Sequence, residues 1–238
     1  MTSVAEQSIQ PFLSGAARAS EAYTRTMRAF YDDGVCGRYP ALLTEIAAAA
    51  TRHAPTLALE FRITAREELC GARIIAHAAE TVEDTELRDS MRRHAEDENR
   101  HSRMFHALVE QALPGTTALP IQDTDASEEL GPGFNDVEGF LISIHLAEIR
   151  SQLIVSEFKE QIDRQKPEGH LKMSRALDAV LADEGRHIHY TSERVADWIE
   201  RDPAYLEKLE HYIPIYDGYW WSHVEVLSGS LANRQSGT

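Results

Sequence analysis

The chain has 238 residues, of which 42% are hydrophobic and 26% are charged, and this composition is typical of an ordinary globular protein. Its formal charge of −15 would repel phosphate backbones, so a nucleic-acid partner is not expected. The two cysteines, Cys36 and Cys70, form no Cys-x-x-Cys pair, which excludes a rubredoxin-type iron site and a cysteine-ligated cluster.

The predicted elements are helices along almost the whole chain. Ala, Leu, Glu and Arg dominate, and the β-branched alternation of strands is absent. Pro55 suits the first turn of a helix, and Asn135 followed by Glu138 forms a capping box. Pro203 opens a short helix before an aromatic segment, residues 212–221. The longer helices are predicted over residues 17–32, 40–53, 55–81, 84–113, 135–165 and 171–201.

Two kinds of connection separate the long helices. Residues 114–133 contain three prolines and three glycines and predict a long crossover, whereas residues 166–169 form a tight turn. The order is therefore hairpin, crossover, hairpin, as in a four-helix bundle with one long crossover. We expect an all-α fold in a single domain, with a bundle core over residues 55–201 and additional helices at both ends.

A five-residue pattern occurs twice, over residues 97–101 and 183–187. Each copy begins with Asp-Glu and ends with Arg-His, so a Glu and a His lie three residues apart on one helical face. A carboxylate and a neutral imidazole presented together are half of a metal site. A single copy would be weak support, because such pairs occur by chance, but two copies with the same flanking residues predict a two-metal centre.

The partner helices should each supply one more Glu at the same height. In an antiparallel hairpin, residues at equal height are equally far from the turn. Glu148 and Glu184 are equidistant from residue 166, and Glu68 and Glu98 are equidistant from residue 83, so both pairs are centred on predicted turns.

Glu67 is almost as close as Glu68 to being equidistant with Glu98 from the turn. The two residues are distinguished by the face of the helix on which they lie. Glu68 and Glu148 are both followed by apolar residues at one, six and seven positions and by a small residue at three. This pattern favours Glu68, with Glu67 as the alternative. The six predicted ligands, which are also the catalytic residues, are Glu68, Glu98, His101, Glu148, Glu184 and His187.

The charges of this set are balanced. Four carboxylates neutralise two divalent cations, so the centre can be buried without a large desolvation penalty. Carboxylate and imidazole ligands without thiolate suit iron or manganese better than a structural zinc. The ligand types therefore predict a pair of iron or manganese ions.

With these ligands the chain resembles the ferritin-like di-iron carboxylate superfamily, over roughly residues 55–201. The resemblance implies an iron pair that reacts with dioxygen or peroxide. Asp97 and Asp183, which precede the ligand Glu residues, look like the Asp of the oxygen-activating branches that accepts a hydrogen bond from a ligand His. The radical Tyr of the ribonucleotide reductase subunit is replaced by Phe105, and the Cys-rich domain of rubrerythrin is missing.

Two further histidines lie on ligand faces. His94 is four residues before Glu98, and His145 is three residues before Glu148. The di-iron arylamine N-oxygenases carry a similar third His, but in the motif of the last helix, where this chain has Val180. Each His is therefore either an additional ligand or a hydrogen-bonded residue of the bundle interior.

The expected function is a non-haem di-iron oxygenase that uses dioxygen to oxidise a small organic substrate. No flavin, nicotinamide or cluster motif is present, so the electrons would come from an external reductase or ferredoxin. The alternatives are a ferroxidase or rubrerythrin-like protein that handles iron or peroxide, and a helical bundle without metal. The aromatic segment near the C-terminus predicts packing at one end of the bundle, or alternatively a lid or a homodimer contact.

The sequence also predicts the cellular location. The nearest candidate for a membrane span, residues 140–147, contains His145 and is much shorter than the ~20 residues that cross a bilayer. Residues 1–13 lack the basic start and apolar stretch of a secretion signal. We therefore expect a cytoplasmic protein with no membrane contact.

Overall fold

The computed structural model describes residues 20–116, 136–165 and 170–232, and these ranges contain helices and no strands. The prediction of an all-α fold is therefore confirmed for the described part of the chain. Most of the predicted crossover and the turn at residues 166–169 lie outside the described residues. The helices are α1 (Glu21–Asp33), α2 (Val35–Arg38), α3 (Pro40–Thr51), α4 (Ala54–Ala79), α5 (Thr85–Ala112), α6 (Val137–Gln165), α7 (Leu171–Arg201) and α8 (Ala204–Ala232).

The observed helix ends follow from local capping. The side chain of Ser20 accepts a hydrogen bond from the backbone N–H of Tyr23 at the start of α1. The side chain of Asp84 accepts from the N–H groups of Glu86 and Leu87 at the start of α5. Beyond α5, Gly115 takes a positive φ of 83°, which a residue without a Cβ adopts at little cost.

The C-terminal prediction was wrong in one respect. The short helix expected at Pro203 is instead the long helix α8, which continues past Pro214. Proline removes one backbone hydrogen bond, but apolar burial on both sides of it offsets that loss. Leu209 precedes Pro214, and Trp220, Val224 and Leu227 follow it on one buried face.

The chain divides into two compact units. The hairpin unit comprises residues 53–137, and the split unit comprises residues 1–52 together with residues 138–238. Our expectation of a single domain stays a prediction. None of the helices within the described ranges is both long and apolar enough to cross a membrane.

The hairpin unit is built from α4 and α5, which run antiparallel. The rings of Phe61 and Phe105 lie 6.1 Å apart, and Ser102 Oγ donates to the carbonyl of Ala65 at 2.7 Å. Both pairs are centred on residues 83–84, at the turn that the sequence predicts. The two helices therefore pair in the predicted register.

The split unit contains a second antiparallel pair, α6 and α7. Lys159 Nζ lies 3.1 Å from Asp178 Oδ1, and His145 Nδ1 lies 2.9 Å from Thr191 Oγ1. Both pairs are centred close to residue 168, within the predicted turn. Helix α1 contacts α7 in this unit, and helix α8 contacts α1, α3 and α7.

Candidate metal centre

The hairpin unit places three predicted ligands together. Glu68 comes from α4, while Glu98 and His101 lie one turn apart on α5. Nδ1 of His101 is 3.4 Å from Glu68 Oε2 and 3.7 Å from Glu98 Oε1. One ligand atom from each of the three residues lies within 4.8 Å of the others, and all three side chains are buried.

The split unit repeats this arrangement. Glu148 comes from α6, while Glu184 and His187 lie one turn apart on α7. Nδ1 of His187 is 3.4 Å from Glu148 Oε2 and 3.7 Å from Glu184 Oε2. The two distances equal those of the hairpin unit, so the matching motifs of the sequence correspond to matching local geometry.

The geometry of each half-site fits a metal ion. Nitrogen and oxygen ligands at about 2.0–2.2 Å from a cation lie about 3.0–3.6 Å from one another, close to the observed separations. In addition, Glu68 Oε2 is buried and accepts no hydrogen bond from the described residues. Buried Glu and His groups of this protein could therefore hold a metal ion.

The structure distinguishes Glu68 from its neighbour. Glu68 is 5% exposed and points toward His101, whereas the side chain of Glu67 is exposed. One residue step on a helix rotates the side chain by about 100°, which is enough to separate a buried position from an exposed one. This placement favours Glu68 as the α4 ligand.

His94 lies beside the hairpin half-site. It is 1% exposed, and its Nε2 is 3.4 Å from Glu98 Oε1. His94, Glu98 and His101 therefore occupy one face of α5 at successive turns. Coordination by His94 is compatible with this position and stays a prediction.

His145 has a different environment. Its Nε2 lies 2.7 Å from the hydroxyl of Tyr23, and its Nδ1 lies 2.9 Å from Thr191 Oγ1. Burial lowers the pKa of His145 to about 4, although the nearby carboxyl of Glu148 acts in the opposite direction. With both ring nitrogens hydrogen-bonded, the geometry favours an interior His over a metal ligand.

The Asp residues that precede the ligands pair with the arginines of their own motifs. Asp97 Oδ1 is 2.7 Å from Arg100 Nη1, and Asp183 pairs in the same way with Arg186. Each is an i,i+3 ion pair at the edge of a buried half-site. Hydrogen bonding of either Asp to a ligand His stays a prediction.

The two half-sites differ in the small residue three positions after the α4 or α6 ligand. In the split unit, Ser151 Oγ donates to Glu184 Oε1 at 3.4 Å. In the hairpin unit the corresponding residue is Gly71, where a Cβ would lie 3.4 Å from Glu98 Oε2. Glu184 therefore accepts a hydrogen bond from a hydroxyl group, whereas the space beside Glu98 at Gly71 is about the size of a methyl group.

Tyr23 and Thr191 were not found from the sequence as residues of the site. Thr191 is one turn after His187, so its position near the ligands could have been read from helical spacing. Tyr23 is 122 residues from His145 and belongs to a helix outside the two hairpins. No local pattern indicates which side chain of α1 reaches the site.

Comparisons with known proteins identify no relative. No family model matches the chain, no curated protein matches its sequence, and no solved structure matches its fold. Any functional interpretation therefore depends on the residues and geometry described above.

Proposed function

We propose that this protein is a non-haem di-iron oxygenase with a ferritin-like four-helix bundle built from the α4–α5 and α6–α7 hairpins. The observation that carries the proposal is the repetition of one buried Glu–Glu–His arrangement with the same two distances in both units. A buried carboxylate costs free energy unless a cation or hydrogen bonds compensate it. A protein that holds two metal ions acting together is expected to contain two matching sets of such buried groups.

Each half-site would hold one ion. Glu98 and Glu184 each offer two carboxyl oxygens that could bind metal. The charges of four carboxylates would cancel those of two divalent cations, and the imidazoles would add neutral donors. The first ion would bind Glu68, Glu98 and His101, and the second would bind Glu148, Glu184 and His187.

When bound, the iron pair would supply the redox chemistry by which dioxygen oxidises a small organic substrate. The protein fixes the ligands on rigid helices, and all six ligands are buried, which excludes bulk water. Ser151 donates a hydrogen bond to Glu184, whereas Gly71 places no side chain beside Glu98.

The reaction class is hydroxylation, N-oxygenation or a related oxidation. Because the sequence carries no flavin, nicotinamide or iron–sulfur motif, an external reductase or ferredoxin would supply the electrons. We propose a small oligomer, such as a homodimer, as the functional state.

Metal analysis and oxygen consumption test this proposal. The protein is loaded anaerobically with ferrous iron, and we expect about two ions per chain. Glu98→Gln should lose bound iron, whereas Glu96→Gln, an exposed position on the same helix, should retain it. With a substrate and a reductant, oxygen consumption should exceed the amount that oxidises the bound iron.

Four outcomes would contradict the proposal. Failure to bind iron, or unchanged binding in Glu98→Gln, would remove the metal centre. If oxygen is consumed only to oxidise iron, across a broad panel of amines, acids and aromatic compounds, the oxygenase assignment fails. Oxidation of many irons per chain by a large assembly would favour a ferroxidase or rubrerythrin-like role.

A further inference from the structure

A buried hydrogen-bonded chain connects helix α1 to the split half-site. Its members are Tyr23 on α1, His145 on α6 and Thr191 on α7, and the backbone carbonyl of His187 ends it. Tyr23 is 1% exposed, and His145 and Thr191 are fully buried. The metal centre as described above does not use this chain.

The donors and acceptors in this chain have one consistent arrangement. Thr191 Oγ1 donates to the carbonyl of His187 at 2.7 Å, so its single hydrogen is used there. Thr191 Oγ1 must then accept from Nδ1–H of His145, which leaves Nε2 of that neutral ring without a proton. The hydroxyl of Tyr23 donates to this Nε2 at 2.7 Å. If His145 instead carried its proton on Nε2, that nitrogen could not accept the hydrogen of the Tyr23 hydroxyl.

This geometry suits transfer of an electron and a proton from one phenol. A phenol that loses an electron becomes strongly acidic, so even a weakly basic nitrogen takes its proton. His145 Nε2 is already in line to receive it, and burial keeps solvent bases away. His145 lies three residues before the predicted ligand Glu148, about 4.5 Å along the axis of α6, so Tyr23 contacts a residue that is about one helical turn from that ligand.

We propose that Tyr23 is a redox-active residue that would lose one electron to the dioxygen chemistry of the iron pair while its phenolic proton moves to His145 Nε2. The inference rests on the proposed function, which supplies the oxidant. In this step the O–H bond of Tyr23 breaks and an N–H bond forms on His145. The products on the protein are a neutral tyrosyl radical and a protonated imidazole, and the reaction of the iron pair with dioxygen would take up the electron. Tyr23 would thereby supply an electron when substrate is absent or external reduction is slow.

Tyr216 provides a matched comparison in the same unit. Its hydroxyl lies 2.6 Å from Ser143 Oγ, and burial raises its pKa, as it does that of Tyr23. A serine hydroxyl, however, cannot act as a base for the phenolic proton. The two tyrosines differ in burial, since Tyr23 is buried and Tyr216 is half-buried, and in the group that faces the hydroxyl, which is an imidazole nitrogen only for Tyr23. Of these two residues, Tyr23 should therefore form the radical.

The test uses the full chain loaded anaerobically with ferrous iron and mixed with dioxygen without substrate. Electron paramagnetic resonance of frozen samples detects the radical, and ring-deuterated tyrosine assigns it by narrowing the signal. Iron content and iron oxidation are measured in the same samples. We expect a tyrosyl signal in the wild type and in Tyr216→Phe, at least a tenfold loss in His145→Gln, and no such signal in Tyr23→Phe.

A tyrosyl signal that persists in Tyr23→Phe, or one that disappears in Tyr216→Phe, would overturn the assignment. If iron binds and oxidises normally in the wild type but no radical forms, this inference fails and the proposed function stands. If the wild type binds no iron, both fail. Circular dichroism and the iron content of each variant show whether a lost signal reflects misfolding. An unchanged signal in His145→Gln would contradict the role of His145 as proton acceptor.

Discussion

Replacing Glu68 by Gln should have opposite effects on stability in the metal-free and the metal-loaded protein. Without metal, the substitution replaces a buried carboxyl group whose Oε2 accepts no hydrogen bond from the described residues. A neutral amide costs less to bury, so the free energy of unfolding should rise by about 1–2 kcal/mol. For a chain of this length, that is an increase in Tm of about 2–8 °C.

With metal, the order should reverse. An ion present at 100 times its Kd stabilises the folded protein by about 2.7 kcal/mol, or about 5–11 °C in Tm. If the loss of the Glu68 ligand weakens binding about 100-fold, the same ion concentration contributes only about 0.4 kcal/mol. The increase in Tm that the ion produces should therefore fall to about 1–2 °C.

The assay is thermal unfolding of both forms with cobalt(II), which is stable in air, and then with ferrous iron under anaerobic conditions. Glu67→Gln is the matched control, because it makes the same chemical change one residue away at an exposed position. It should leave both melting temperatures close to the wild-type values. The reasoning would be refuted if Glu67→Gln abolished the metal-induced shift, or if Glu68→Gln kept the full shift.

Three further changes test the surroundings of the ligands. Gly71→Ala should raise the free energy of unfolding of the metal-free protein by about 0.5–1 kcal/mol, because alanine restricts the unfolded chain more than glycine does. The added Cβ would lie at an ordinary contact distance of 3.4 Å from Glu98 Oε2, so it should fit. A loss of stability in urea titrations would contradict this. Burial lowers the pKa of His145 to about 4 in the folded protein, against the opposing effect of Glu148. Its ordinary pKa is about 6.5, so below that pH the unfolded chain binds a proton that the folded protein does not. Between pH 6.5 and 4 the metal-free wild type should therefore lose about 3 kcal/mol through this group, and urea titrations of His145→Gln should show a loss smaller by that amount. Thr191→Val should cost about 1–3 kcal/mol at pH 7, because His145 Nδ1–H loses its buried acceptor, and no change in the urea midpoint would exclude the assigned tautomer.

The register of the α4–α5 hairpin could be predicted from the sequence because helices have a fixed rise per residue. Residues equally far from a tight turn reach the same height, and this placed Glu148 opposite Glu184 and Glu68 opposite Glu98. The observed pairs of α4 and α5 are centred on residues 83–84, as that construction requires, whereas those of α6 and α7 are centred close to residue 168, two residues beyond the predicted centre. The choice of face was harder, because it depends on which of two neighbouring carboxylates is buried.

The remaining features depend on contacts between distant parts of the chain. The continuation of α8 through Pro214 reflects burial of Trp220 and Leu227 against other helices, which overrides the local preference of proline. The pairing of Tyr23 with His145 depends on how α1 packs within the split unit, and no pattern of apolar residues specifies a single hydrogen bond. Sequence periodicity identifies the buried face of a helix but does not identify the partner of each polar group on that face.

The two half-sites have equivalent predicted ligands, but their surroundings are not equivalent. Three residues before the α4 or α6 ligand, the hairpin unit has Ala65 and the split unit has His145. Four residues after the ligand His, the corresponding residues are Phe105 and Thr191, so an aromatic ring replaces a hydroxyl. An imidazole at His145 is stable there because Thr191 and Tyr23 satisfy both of its nitrogens, and Tyr23 is supplied by α1, which belongs to the split unit. The difference between the half-sites therefore follows from the additional helix, and it concentrates the groups able to move protons beside one of the two proposed metal ions.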